Sequence, residues 1–131
     1  MKEHSQTISE VDWALDNKLI SSSHDRSVVV WKQISDTKWE KMLVNIDIKL
    51  SILTAKWAPS TRKFALGSSC NTLALGFFNN VEHCWTTMNK MNFTKAPITT
   101  INFHPSCNLL AVGSADFSVK VVTSSFKKSK D

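Results

Sequence analysis

Glycine and proline are scarce in this chain, with three of each in 131 residues, and tyrosine is absent. A collagen-like or low-complexity composition is thereby excluded, and so few glycines leave many turns to be made by Asn, Asp and Ser. Cysteine is equally sparse: Cys70, Cys84 and Cys107 are an odd number with no Cys-x-x-Cys spacing. Neither a disulfide framework nor a zinc ribbon follows from them, and a reduced compartment is the simpler expectation. No stretch approaches the ~20 apolar residues of a membrane-spanning helix. The segment Met1-Lys2-Glu3-His4-Ser5-Gln6-Thr7 has no apolar run of a secretory signal, so no membrane partner is expected and the acceptor-like Asn92-Phe93-Thr94 should stay unglycosylated.

What is present is ordinary globular material: 42% hydrophobic and 21% charged residues, enough for one domain with a core and too little for two. The net charge of +5 would permit attraction to nucleic acid. The lysines are scattered, however, and their only cluster is Lys127, Lys128 and Lys130 in a basic tail over 124–131. That distribution fits a solvated end, and no nucleic-acid partner is expected.

A pattern repeats three times. Leu19 to Lys32 reads as two short strands around a polar corner at Asp25-Arg26, the second carrying β-branched Val28, Val29 and Val30 and ending near Trp31. Phe64 to Gly76 and Leu110 to Val122 are weaker copies. Asp25 lies 45 residues before Cys70, and Cys70 46 before Asp116; Trp13 lies 44 before Trp57, and Trp57 46 before Phe103. This is the period of four-stranded propeller blades of the WD type. We expect an all-β, partial WD40-type β-propeller over residues 1–123 with about eleven strands. Its repeats run over about 4–44, 51–89 and 98–123, giving two complete four-stranded blades and most of a third. The inner strand of the first copy is expected to be buried on both sides. Such an arc cannot close alone, so both end blades should present an apolar flank.

The order and spacing of several phrases go further: Val11-Asp12-Trp13-Ala14, Asp25-Arg26 with Val30-Trp31, Lys56-Trp57-Ala58-Pro59, Lys63-Phe64-Ala65-Leu66-Gly67-Ser68, His104-Pro105, and Gly113-Ser114 with Asp116-Phe117. The chain resembles the WD-repeat subunit family of the actin-related protein 2/3 complex over nearly its whole length. The resemblance implies a seven-bladed propeller with one blade before this stretch and more after it. It also implies a non-catalytic scaffold role in nucleating branched actin filaments. The other subunits and, through the complex, actin filaments would be the partners, in the cytoplasm with the actin cytoskeleton and also in the nucleus. The projecting insert that the family carries late in its propeller has no counterpart here. The alternatives are a general WD-repeat adaptor or a truncated copy without assembly activity.

In WD repeats a histidine, a second-strand serine, the corner aspartate and a third-strand tryptophan form a buried hydrogen-bonded set; His4, Ser22 or Ser23, Asp25 and Trp31 are the candidates, with Asp116 as the corner acid of the third copy. The second copy has Cys70 for the acid and Gly76 for the aromatic, and the third has Val122 at the aromatic place. Such losses should loosen those blades. His24, Asp25 and a nearby serine share residue types with a catalytic triad, but no G-x-S-x-G nucleophile turn accompanies them, so no enzyme activity is expected. His83, Cys84, His104 and Cys107 are zinc-ligand types split between copies, so neither a metal nor any other cofactor is expected. Arg26 and Phe117 at the corners, with Trp39 and Trp85 on outer strands, are the candidates for partner contacts.

Overall fold

The computed structural model describes residues 1–124. Eleven strands run through them: β1 (Ile8–Trp13), β2 (Lys18–Ser23), β3 (Val28–Ser35), β4 (Lys38–Leu43), β5 (Ile52–Trp57), β6 (Lys63–Ser68), β7 (Leu73–Asn79), β8 (Cys84–Lys90), β9 (Ile98–Phe103), β10 (Leu109–Ser114) and β11 (Val119–Thr123). They form three antiparallel meanders, β1 to β4, β5 to β8, and β9 to β11. The WD-type partial propeller and its two-and-three-quarter blades are therefore observed, and among the described residues no helix is long and apolar enough to cross a membrane.

Blade order follows from the inner strands. Ser9 Oγ donates to Ile52 O (2.7 Å), Asp12 Oδ2 accepts the Trp57 N–H (2.7 Å), and Glu10 pairs with Lys56 (3.3 Å). Each link joins residues 43 to 46 apart, so β1 and β5 run side by side in the same direction. Strand β9 continues the row by packing on β5.

Two apolar seams fill the joints. Between blades 1 and 2 lie Ile20, Val28, Val30, Ala55, Trp57, Phe64, Leu66 and Trp85. Between blades 2 and 3 lie Ala65, Leu73, Leu75, Ile98, Ile101, Phe103, Leu110 and Val112. Blade 2 thus uses both faces, which is why β6 is buried from Phe64 to Ser68. Burying one such Leu, Ile or Phe side chain is worth about 1.5–3 kcal/mol. Gly67 matters here because any side chain on it would strike Ile98 and Thr54.

Strand β1 departs from expectation. Its residues are exposed or half-buried, with Val11 at 49% and Trp13 at 60%, because no other blade among the described residues packs on that face of blade 1. The apolar flank expected of each end blade is present: Val11, Trp13 and Leu43 on blade 1, and Leu109, Val119 and Val121 on blade 3.

The turns are made without glycine. Among the described residues, eight non-glycine residues adopt positive φ and no glycine does. Asn17, Asn71 and Asn92 are the asparagines expected in this role; Arg26, Thr61, His83, Cys107 and Phe117 are not of the expected types. Of the basic tail, Ser124 is buried and tied in, its N–H donating to Asn108 O (2.9 Å) and its Oγ accepting from Lys63 Nζ (2.7 Å). The rest of the proposed tail, 125–131, lies outside the described residues.

Candidate functional site

The three β-corners share one construction. At Ser23 to Ser27, Ser68 to Thr72 and Ser114 to Ser118, the first serine's hydroxyl accepts the N–H of the corner residue, at 3.1, 3.0 and 3.3 Å. The next residue turns left-handed: Arg26 (φ 69°), Asn71 (φ 63°) and Phe117 (φ 67°). In blades 1 and 3 the corner carboxylate then accepts the N–H and hydroxyl of the closing serine, with Ser27 N and Ser118 N each at 2.9 Å. Its other oxygen accepts a backbone N–H from the incoming chain, Ser5 at 2.8 Å and Lys95 at 3.0 Å. Two carboxylates thus tie their hairpins to the segments that lead into the inner strands.

These bonds favour the ionised acid. Partial burial by itself pushes the Asp25 carboxyl up, but the Ser27 hydroxyl, the Ser5 and Ser27 amides and His4 together hold it well below the usual range. Asp116 is lowered to about 2, chiefly by the Ser118 hydroxyl and the Lys95 amide. Cys70 takes the corner in blade 2, with its sulfur 2.7 Å from Ser68 Oγ. Burial opposes its ionisation, yet the Ser68 and Thr72 hydroxyls draw the thiol below its ordinary value.

Among the described residues, only blade 1 extends the corner into a longer chain. The Trp31 indole can only donate, and it donates to Ser21 Oγ (2.9 Å); Ser21 Oγ lies 2.8 Å from His4 Nε2. On the other side His4 Nδ1 is 2.7 Å from Ser27 Oγ, whose proton goes to Asp25 Oδ1. These partners assign the imidazole proton to Nδ1, so each hydroxyl accepts once and donates once in a single direction from indole to carboxylate. His4, Asp25 and Trp31 are brought together; Ser22 is not. Its hydroxyl meets Ser9 Oγ (3.0 Å) on the face toward blade 2, and Ser23 bonds Thr7 O (2.9 Å). Ser21 and Ser27 are the serines that sequence reasoning missed. The hairpin register could have found Ser21: Leu19 pairs with Trp31, and two residues on, Ser21 returns to the same face.

Blade 2 replaces the set by packing. Gly76 stands where blade 1 has Trp31, and the ring of Phe64 on the neighbouring strand fills the space an alanine methyl would need. Phe64 lies against Trp57 (5.4 Å between centroids) and Trp85 (5.6 Å).

The partner-contact candidates divide. Arg26 is exposed at the first corner, and Phe117 is fully exposed at the third. Trp39 is half-buried against Trp13 (5.7 Å between centroids). Trp85 is a correction: it is only 4% exposed, held by Trp57, Phe64 and Phe78, because the linker after β4 covers its strand, with Asn45 N donating to Trp85 O (2.8 Å). His83 and Cys84 lie in blade 2 and His104 and Cys107 in blade 3; among the described residues no three His, Cys, Asp or Glu side chains are grouped to hold a metal ion. His24 is exposed and bonds through its backbone, with its N–H donating to Thr7 O (3.0 Å) and its carbonyl accepting from Ser51 Oγ (3.2 Å).

Comparison with known proteins agrees with this geometry. The chain is 29% identical over 127 residues to actin-related protein 2/3 complex subunit 1 of Saccharomyces cerevisiae, a match covering 97% of this chain and 33% of that protein. It is 30% identical over 129 residues to subunit 1A-B of Xenopus laevis, with 98% and 35% covered, and 28% identical over 128 residues to subunit 1A of Arabidopsis thaliana, with 97% and 34% covered. The chain therefore spans about a third of the length of the relatives it matches. The profile of the family described as WD domain, G-beta repeat matches residues 1–32 and 85–122, which take in the first three strands of blade 1, the outer strand of blade 2 and the strands of blade 3. With its blade period, its corner carboxylates and over half of its residues matched, the chain belongs to the WD domain, G-beta repeat family.

Proposed function

We propose that the chain is a non-catalytic scaffold that joins an assembly of the actin-related protein 2/3 type and supports nucleation of branched actin filaments in the cytoplasm. The observation that carries this reading is the alignment with subunit 1 of that complex from a yeast, a frog and a plant, each over at least 97% of the chain. The hydrogen-bonded corner of blade 1 fits a scaffold, since His4, Ser21, Asp25 and Ser27 bond one another and hold the blade together. Affinity capture of the tagged 131-residue chain from cytosol should recover other subunits of the complex. The recovered material should shorten the lag of actin polymerisation. Capture of folded chain with none of those subunits would refute the assignment.

A general adaptor role has one observation in its favour, the wholly exposed Phe117 at a rigid corner beside Asp116. On that reading Phe117→Ala and Arg26→Ala together abolish partner recovery while leaving the fold unchanged.

A further inference from the structure

We draw no further inference here: the strongest candidate, the β-corner of blade 2, where the Cys70 sulfur stands between the Ser68 and Thr72 hydroxyls in the place that Asp25 and Asp116 fill in blades 1 and 3, is a lone cysteine bonded within its own turn, and nothing among the described residues points to a ligand at it.

Discussion

Replacing Ser21 by Ala should destabilise the chain far more than the same change one residue along. Ser21 is 4% exposed and its oxygen is the acceptor for the indole of Trp31, itself 6% exposed. Removing it leaves a buried N–H without a partner, at about 1–3 kcal/mol, and takes a hydrogen bond from His4 Nε2, a further 0.5–1.5 kcal/mol or so. The sum, about 2–4 kcal/mol, is a large share of the roughly 7–20 kcal/mol expected for a chain of this length. Ser22 is fully buried too, but when it is lost Ser9 keeps Ile52 O as a partner, so Ser22→Ala should cost about 0.5–1.5 kcal/mol. With a urea slope of about 1–3 kcal/mol/M, the Ser21→Ala midpoint should fall by about 1–2 M. A double-mutant cycle sharpens the test, because Trp31→Phe removes the orphaned donor and should cost less in the Ser21→Ala background than in the parent. Equal losses for Ser21→Ala and Ser22→Ala, or the same cost for Trp31→Phe in both backgrounds, would refute the indole-to-carboxylate chain.

Acid should loosen the corners in sequence. Asp116 is about 2 when folded and 3.8 as a free side chain, so its contribution is complete above 3.8 and disappears as pH falls toward 2, while Asp25 holds to lower pH; Asp116→Asn should flatten the acid limb of a stability profile in that window. Gly76→Ala drives a methyl into the Phe64 ring and should cost about 1–3 kcal/mol by overpacking, with part recovered when Phe64→Leu is added. Asp12→Ala removes the carboxylate that holds the Trp57 N–H and should cost about 1.5–3 kcal/mol in urea unfolding; a change within error would mean that this link does not bind blades 1 and 2.

The blades were legible in the sequence because turn chemistry and strand length recur at a nearly fixed interval, and the eleven strands lie within a few residues of the expected ones. The site was legible in its residue types and less so in its geometry. Three consecutive serines, Ser21 to Ser23, offer the same chemistry, and only strand parity set from Trp31 selects the first. Trp85 was misjudged because an outer strand was equated with an exposed one; its facing direction depends on the register with Phe78, which a sequence does not print. The burial expected for β1 failed because sequence marks an inner strand without marking whether both its neighbours exist. The loosening expected of blade 2 overlooked Phe64, whose ring takes up the room that Gly76 leaves.

Among the described residues blade 2 is the one blade covered on both sides, and that has a bearing on how this three-blade arc opens. In a one-dimensional array each unit is held by its own folding energy and by its neighbours, so the outer units fray first and the middle one releases last. Amide protons of β6 and β7, where Phe64, Leu66, Leu73 and Ala74 are wholly inaccessible, should exchange at the rate of global unfolding, while those of β1 and β11 exchange through local opening. The blade that has lost both its corner acid and its aromatic is thus the keystone of the arc, and its endurance is lent by what stands beside it.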